Sequence, residues 1–494
     1  MAQARTARDK QICITILRGE SMKTFQDYQA AVAAGETIDF LCQAINEHRS
    51  SPEYRIALDA DEYEAQRNVT IRNWVKYLYT LDGRKVPDYT ASNNRLANNL
   101  FHRLNTQRRT YSLGNGVSFT NTEEVVENGV KHQRDVTKEF LGNDFDTMLD
   151  TAAYLALIHR VSFIFWNYDH GDVFKYTEFV PLWDEEDGSL KAGIRFWSLD
   201  WNQRPVIVVL YEEDGYTKFH TKPGSKGLDL ELLEEKTAYK QIVATSEADG
   251  DVVVGEENYS SLPIVPLWGS KHKQSTLVGM RDKLDAYDLI DSGFANDLQE
   301  CAEIYWLIGN ALGETDESLA KFRDRLKLNH IAAIDSDNSK VTPYTQDIPT
   351  EARKTFLEEI RNQLYEDFGA LDVHTVAAGA TNDHIDAAYQ PMDEEADDFE
   401  YQIIKCVRQI LKLNGIDDTP QFKRNRISNQ KEQVEMVMSC ANYLDDETVL
   451  SKLPFITVDE VQDILKKKEM EDAARIKLEQ GNNRFGNQQE EQEE

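Results

Sequence analysis

One long amphipathic helix constrains the fold of this chain more than any other feature of its sequence. From Ser275 onward, apolar residues recur at steps of three and four over about seven turns, on the order of 40 Å of helix. They are Leu277, Met280, Leu284, Tyr287, Ile290, Phe294, Leu298 and Cys301. The opposite side carries the carboxylates of Asp282, Asp285, Asp288, Asp291 and Asp297. An apolar stripe of this length predicts a partner packed along it, and the acidic side favours a solvated face over a carboxylate ladder that binds metal.

A second amphipathic helix follows after a short insert. The insert contains strand-like segments at 304–308, 331–335 and 341–344 and a helical segment at 314–328. The second helix starts at Pro349, since proline suits the first helical turn. Its apolar face holds Phe356, Ile360, Leu364 and Phe368. The order of long helix, small α/β insert and long helix predicts an antiparallel helix hairpin capped by a minidomain.

Two regions of different periodicity precede this hairpin. Residues 22–160 show mainly helical periodicity, and 93–104 place Leu96, Leu100 and Leu104 on one helical face ahead of a turn at 111–116. Residues 160–260 contain short β-branched runs separated by Gly, Asp and Pro. These runs predict a mostly antiparallel sheet of five or six strands, with hairpin turns at 184–188 and 212–215.

The region after the hairpin begins with a loop of small residues at 369–381. It leads into a helical stretch at 382–413 that contains Pro391, which lacks an N–H and should start, kink or break that helix. A strand-like piece at 421–427 then precedes helices predicted at 430–444, 446–452 and 458–477, with Asp445 as an N-cap. Residues 480–494 are polar and of low complexity, which predicts disorder.

Composition and charge narrow the function. The 494 residues include 55 Lys plus Arg and 87 Asp plus Glu, giving a formal net charge of −32. This balance argues against a basic clamp that grips nucleic acid, although DNA can still pass a surface to which it does not stick. Five scattered cysteines without CxxC spacing suggest a reducing compartment. No apolar run approaches the roughly 20 residues that span a bilayer, so we expect a soluble intracellular or virion protein without membrane contact.

No catalytic constellation stands out in the sequence. It contains no GxxxxGK[ST] phosphate loop, no HExxH, no GxSxG and no Cys/His zinc spacing. The acidic cluster Asp184–Asp187 favours a polar turn, and so does 335–340, where Lys340 stands at the position that needs Gly in a calcium loop. We expect His374 and His384 at the surface, because neither has a carboxylate or a nucleophile at a recognisable spacing, apart from Asp383 beside His384. We therefore expect a protein that is not an enzyme and needs no cofactor.

Three groups of segments carry a family resemblance. The first is Asn93-Asn94 followed by 111–119 (YSLGNGVSF), similar to an "N, helix, YxxGxxxxF" signature. The second is 262–267 (LPIVPL) followed by 284–288 (LDAYD), Ser292 and Asn296-Asp297, similar to "PIxPf … LIDAYn … S … ND". The third comprises 428–430, 444–450 and 453–456, similar to closing helices of the form "S … T … P.i … E".

In this order, over roughly residues 80–480, the chain resembles the portal proteins of tailed bacteriophages, in particular the family of long-tailed phages of Gram-positive hosts. Two segments depart from its pattern: Trp268-Gly269-Ser270 stands where relatives often carry Asn-rich residues, and Asp445-Asp446 where many carry a Gly-Ile turn. Neither departure affects the expected topology.

The resemblance implies an α+β portal fold and a ring of usually twelve subunits at one capsid vertex, around a channel for double-stranded DNA. The wing would be mixed α/β, the stem would be two helices, the clip small and α/β, and the crown all-helical. Carried onto this sequence, the parts are an N-terminal arm 1–21, wing 22–274, stem helix 275–303, clip 304–348, second stem helix 349–368, tunnel loop 369–381, long kinked helix 382–413, wing return strand 414–428, crown 429–479 and a disordered acidic tail 480–494.

The resemblance also implies site residues and partners. The tunnel loop would approach DNA through Leu371, Val373, His374, Thr375, Val376 and Thr381. The clip would meet the large terminase subunit during packaging and a head-completion adaptor afterwards, through Tyr305, Trp306, Asn310, Lys321 and Arg325. Major capsid and scaffolding proteins would be further partners, and Pro391 would kink the long helix.

The acidic face of the stem helix fits the same interpretation. Carboxylates at Asp282, Asp285 and Asp288 would repel phosphate within about 8 to 10 Å at physiological salt, so that DNA slides through the channel. Two other functions stay open from the residues alone. One is an acidic intracellular scaffold or adaptor without DNA passage, and the other is a metal-dependent hydrolase or nuclease that uses Asp184 or Asp335.

Overall fold

The computed structural model falls into two compact units, of which the first holds residues 1–370 and 392–425 and the second residues 371–391 and 426–494. The described residues are 23–79, 83–89, 91–127, 130–198, 206–222, 227–246, 250–301, 305–309, 331–334, 341–344, 349–373, 381–426, 430–441, 443–453, 461, 464–468 and 470. The N-terminal arm, the predicted helix at 314–328 and the tail at 480–494 lie outside them.

The chain is mixed helix and sheet, as an α+β fold requires. Helices of the first unit span Phe25–Ala34, Thr37–Ser50, Pro52–Glu64, Val69–Arg72, Leu100–Leu113, Val136–Leu141, Phe145–His159, Thr276–Cys301 and Thr350–Phe368. The helix Asn382–Leu413 has residues in both units, and the second unit continues with Gln430–Cys440 and Asp446–Lys452. No helix among the described residues is both long enough and apolar enough to cross a membrane.

The predicted β region is two sheets and a hairpin. The larger sheet is an antiparallel meander of Phe179–Trp183, Leu190–Ser198, Val206–Glu212, Gly215–Thr221 and Leu230–Thr237. The smaller sheet places Val161–Asn167 between His170–Lys175 and Ile264–Trp268, and a hairpin pairs Lys240–Ser246 with Gly250–Glu257. The 3₁₀ turn Tyr176–Glu178 separates His170–Lys175 of the smaller sheet from Phe179–Trp183 of the larger one. Further pairs are Tyr77–Tyr79 with Lys85–Pro87, Thr122–Glu127 with Val130–Asp135, and Val117–Ser118 with Gln421–Phe422.

The core of the first unit forms around the central strand of the smaller sheet. Its residues Val161 to Trp166 are all buried, which is the pattern of a strand covered on both faces. The helix Phe145–His159 packs against this strand, and Phe163 and Phe179 lie with ring centroids 4.3 Å apart. The last turns of the helix Asn382–Leu413 add Phe399 and Ile403 to the same apolar cluster.

A close backbone approach explains one glycine in this core. A Cβ on Gly269 would lie 2.3 Å from the carbonyl oxygen of Ala156 and 2.9 Å from the Cα of Leu157. We expect Gly269→Ala to lower the free energy of unfolding by about 2 kcal/mol, because backbone atoms must move apart. Gly279→Ala is the matched control in urea unfolding, since a Cβ there meets no atom within 4 Å. Equal stability of the Gly269→Ala variant and the wild type would contradict this packing.

The hairpin with its insert forms where the sequence predicted it. The helices span Thr276–Cys301 (the first long helix) and Thr350–Phe368 (the second long helix), with Pro349 at the N-cap rather than in the first turn. In the insert, Tyr305–Gly309 pairs in parallel with Ile331–Ile334 and antiparallel with Val341–Tyr344. The three predicted strands are thus confirmed.

The C-terminal helices are confirmed in part. Gln430–Cys440 is shorter than the prediction of 430–444, whereas Asp446–Lys452 agrees with it. Asp445 is the N-cap, because its carboxylate accepts the backbone N–H of Thr448 at 3.1 Å. The helix predicted at 458–477 lies mostly outside the described residues.

Candidate functional site: the helix hairpin and its polar ladder

The two long helices pack against each other in antiparallel directions. Two ion pairs connect them, Lys283 with Asp367 and Arg353 with Asp297. Residue numbers rise along one helix as they fall along the other, which gives the direction. The helices share one apolar cluster, to which they contribute Leu277, Met280, Leu284, Ile360, Leu364, Tyr365 and Phe368. The antiparallel hairpin predicted from the apolar stripe is therefore confirmed.

The apolar stripe of the first long helix does not continue to its end. Leu298, a predicted member, is 51 % exposed. The buried residues beyond Leu284 are instead polar and lie four apart, one above the other on a single helix face. They are Asp288, Ser292 and Asn296, with 1 %, 2 % and 3 % exposure, and we call them the polar ladder.

The polar ladder binds the backbone of an extended segment, residues 94–98. Ser292 Oγ accepts the N–H of Leu96 at 2.9 Å. Asn296 Oδ1 accepts the N–H of Asn94 at 2.6 Å, and Asp288 Oδ1 accepts that of Asn98 at 2.7 Å. Two extended residues cover roughly 6.6 Å and four helical residues about 6 Å, so alternate N–H groups meet successive rungs.

This arrangement corrects the start of the helix predicted at 93–104, which is confirmed from Leu100 onward and is wrong for 93–99. The helix begins at Leu100 and continues to Leu113, whereas Leu96 lies outside it and is 43 % exposed. The alternate N–H groups of residues 94, 96 and 98 bind the polar ladder. The side-chain Oδ1 of Asn98 accepts the N–H of Leu100 at 3.0 Å. The turn predicted at 111–116 begins only at Gly114, because the helix continues to Leu113. Gly116 in this turn has a φ of +69°.

Two of the three predicted stem carboxylates hold the chain's own polar groups. Asp288 also accepts the side-chain N–H of Asn68 at 2.5 Å, and its burial raises its pKa to about 6. Asp285 accepts the hydroxyl of Thr70 at 2.7 Å, and it is also bonded by the Tyr63 hydroxyl. The expectation that Asp288 lies on a solvated acidic face is wrong, because Asn68 and the 94–98 segment cover it. Asp282 is exposed, and its place in a channel stays a prediction.

An arginine connects three helices beside the hairpin. Arg108, on the helix Leu100–Leu113, donates to the carbonyl of Phe368 at the end of the second long helix. Its guanidinium lies 4.0 Å from the centroid of the Phe368 ring and 3.0 Å from Glu395 of the helix Asn382–Leu413. Burial lowers the pKa of this arginine. No sequence pattern marks Arg108, because its partners are far away in the chain.

A second arginine connects the helix Asn382–Leu413 to the segment that follows it. Arg424 lies 2.9 Å from Asp393 and from Glu400, and also contacts Asp397. These carboxylates, Glu400 above all, raise its pKa. The Tyr111 hydroxyl completes the cluster by donating to Asp393 at 2.6 Å.

The predicted tunnel-loop residues are described in part. Leu371 is buried and Val373 is 57 % exposed. Thr381 is exposed, and its hydroxyl lies 2.7 Å from Nδ1 of His384, in the first turn of the next helix. His374, Thr375 and Val376 lie outside the described residues.

The other predicted site residues are only partly described. Tyr305 and Trp306 belong to the strand Tyr305–Gly309, and nothing is described of their side chains. Asn310, Lys321 and Arg325 lie outside the described residues. Pro391 lies inside the helix Asn382–Leu413, which neither starts nor breaks there, and the two compact units divide between Pro391 and Met392.

The acidic turn Asp184–Asp187 is a turn, as the sequence favoured. Asp184 Oδ1 accepts the N–H of Glu186 at 2.8 Å, and Asp187 Oδ1 accepts that of Ser189 at 2.7 Å. Among the described residues, no three His, Cys, Asp or Glu side chains are grouped as metal ligands. Asp335 lies outside them.

The described fold combines several small sheets, a helix hairpin with a small sheet between its helices, and a long proline-containing helix. Residues 45–474 match the family described as phage portal protein, SPP1 Gp6-like, and the chain belongs to that family. Two curated relatives are both named portal protein. One, from Clostridium phage phiCD119, is 27 % identical over 218 residues, 42 % of this chain and 48 % of the relative, so that match spans about half of the relative's length. The other, from Bacillus phage SPP1, is 22 % identical over 407 residues, 76 % of each chain.

Proposed function

We propose that this chain assembles into a ring of twelve copies around a channel, at the capsid vertex through which double-stranded DNA is packaged and later ejected. The observation that carries the proposal is the family match over residues 45–474, which includes the hairpin and its insert. The likeness of both curated relatives, each named portal protein, supports it.

The proposed parts follow the division expected from the sequence. The first and second long helices form the stem, and the sheet that contains Tyr305–Gly309 forms the clip. The helix Asn382–Leu413 is the long helix that Pro391 kinks. Residues 369–381 form the tunnel loop, and 429–479 the crown. The large terminase subunit and later a head-completion adaptor dock on the clip, and capsid and scaffolding proteins contact the outside.

Charge gives the channel its proposed physical behaviour. Each subunit has a net charge of −32, so a ring of subunits repels the phosphates of DNA electrostatically. The duplex therefore slides through the channel without adhering. Asp282, exposed on the first long helix, is the stem carboxylate best placed to contribute. The sequence has no GxxxxGK[ST] phosphate loop. In this proposal the chain is a structural conduit, and a separate terminase supplies the energy of ATP.

The second long helix carries a side chain suited to a contact between subunits. Phe356 lies on the predicted apolar face but is 48 % exposed within one chain. A head-to-tail contact between copies closes into a ring when its rotation allows, and it would cover such a residue. Val278 and Leu298 on the first long helix are similarly exposed, at 48 % and 51 %.

The experiment that tests the ring is the native mass of the purified chain, measured by light scattering with negative-stain images of the same fraction. Twelve copies of 56.7 kDa give roughly 680 kDa, with a central hole in the images. A monomer at every concentration and salt tested would contradict the proposal and favour the acidic adaptor, which needs no hole.

Phe356→Asp should prevent the ring, because a carboxylate would be buried without a partner between subunits. The expected result is a folded monomer with unchanged circular dichroism. Phe140→Asp is the matched control, since Phe140 is 50 % exposed outside the hairpin. A Phe356→Asp variant that still forms rings would place the subunit contact elsewhere.

A further inference from the structure

A groove in the first unit concentrates positive charge on an acidic protein. It has a volume of about 450 Å³, within the range of ligand sites. The charged residues that line it are Lys191, Lys273, Lys405, Lys412 and Glu213. The groove therefore carries a local excess of cations, whereas the whole chain has a net charge of −32.

Three of these lysines form no ion pair within the part of the chain that the structure describes. Lys191 lies 3.8 Å from Glu213, but Lys273, Lys405 and Lys412 form no ion pair with a carboxylate of the described chain. All three are exposed, so their ammonium groups can meet an anion without a large desolvation cost. Lys405 lies three residues after Gln402, and Lys412 lies ten residues after Gln402. This spacing places the three side chains on one face of the helix Asn382–Leu413.

The wall of the groove is aromatic. The rings of Trp183 and Trp268 are stacked, with centroids 5.6 Å apart and planes inclined by 25°. The ammonium of Lys273 lies 4.4 Å from the centroid of Trp268, a cation–π contact. Pro266 and Leu190 extend the apolar surface. An occupant with both carboxylates and one large apolar side chain matches this combination.

Two sheet edges also reach the groove. Ile264–Trp268 is an edge strand of the smaller sheet, and Phe179–Trp183 is an edge strand of the larger one. Edge strands present backbone groups with which an extended chain can pair. This favours an extended peptide over a compact small molecule.

We propose that this groove binds an acidic, extended peptide segment of a partner protein, with an aromatic or large aliphatic side chain against Trp183 and Trp268 and carboxylates on the lysines. A nucleic acid fits less well, because its dense phosphates would meet the repulsion of the whole subunit, whereas a short peptide carries few charges. The inference does not depend on the ring or on DNA passage.

The test is titration calorimetry of the full-length protein with a short synthetic peptide of glutamate and serine around one phenylalanine. The same peptide with glutamine in place of glutamate is the first control. We expect the acidic peptide to bind at least about tenfold more tightly than the neutral one, with an affinity that falls as salt rises. Equal affinity of the two peptides would overturn the proposal.

A charge-reversed variant locates the binding. The double variant Lys405→Glu, Lys412→Glu should bind the acidic peptide with an affinity about tenfold lower, or lower still. The matched control is Lys85→Glu with Lys354→Glu, which changes the net charge equally at exposed lysines outside the groove. Unchanged affinity in the groove variant, or the same loss in both variants, would overturn the proposal. So would binding of a single-stranded oligonucleotide at these lysines without binding of the peptide.

Discussion

Asp418→Ala should lower the free energy of unfolding by about 4 kcal/mol, the largest loss that we expect from one side chain here. Asp418 is 7 % exposed, and five donors of the chain converge on its carboxylate. They are the N–H and hydroxyl of Thr120, the N–H of Asn121, the hydroxyl of Thr137 and the N–H of Thr419. Removing the carboxylate leaves these donors without their acceptor. It also removes the hydrogen bonds that connect Asp418 to the segment that contains Thr120, Asn121 and Thr137.

Urea unfolding followed by tryptophan fluorescence measures this loss. Asp417→Ala is the matched control, since Asp417 is the exposed neighbour and should change stability by less than about 0.5 kcal/mol. If the two variants unfold at the same urea concentration, the hydrogen bonds of Asp418 contribute little.

The pH dependence of the Asp418 contribution has a definite sign. Burial alone would raise its pKa, but hydrogen bonds from Thr120 and Thr137 outweigh it and hold the pKa at about 2. The unfolded chain therefore binds more protons than the folded one between the two pKa values. The stability difference between wild type and Asp418→Ala should be full above about pH 4 and shrink as pH falls through about 2.

Asp288→Ala should have the second largest effect and lower the free energy of unfolding by about 3 kcal/mol. The variant leaves the Asn68 amide and both the backbone and side-chain N–H of Asn98 without their carboxylate acceptor. Asp282→Ala on the same helix is the control, because Asp282 is exposed and should be nearly neutral. A loss in Asp282→Ala as large as that in Asp288→Ala would contradict the polar ladder.

Asp288 should show the opposite pH dependence to Asp418. Burial raises its pKa to about 6 against the hydrogen bonds from Asn68 and Asn98. The folded chain then binds more protons than the unfolded one, so the contribution of Asp288 is largest below about pH 4 and falls as pH rises through about 6. The stability difference between wild type and Asp288→Ala should therefore grow as pH falls from about 6 to about 4. A difference that shrinks over this range would contradict the raised pKa.

Local periodicity explains what the sequence predicted correctly. The two long helices, the three strands of the insert and the Asp445 cap each depend on residues close together in the chain, and the structure confirms them. The 160–260 region was recognisable as antiparallel strands for the same reason. Its division into two sheets falls at the 3₁₀ turn Tyr176–Glu178, after which Phe179 of one sheet packs against Phe163 of the other, and no local pattern records this.

Long-range polar contacts explain what the sequence could not predict. The 93–104 segment fits a helical period, but its N–H groups bind Asp288, Ser292 and Asn296, which lie far ahead in the chain. The same contacts bury Asp288, whose spacing from Asp282 and Asp285 suggested a solvated face. The lysines of the groove and the partners of Arg108 and Arg424 are equally scattered, so only the folded chain brings them together.

The polar ladder has a consequence for how this chain tolerates change over evolution. It holds residues 94–98 by their backbone, so the side chains of Arg95, Leu96 and Ala97 can be exchanged without loss of the three bonds from the segment's N–H groups. Adding or removing one residue is different, because every second N–H would then turn away from its rung. At Arg95, Leu96 and Ala97 the polar ladder therefore constrains the number of residues more than their identity.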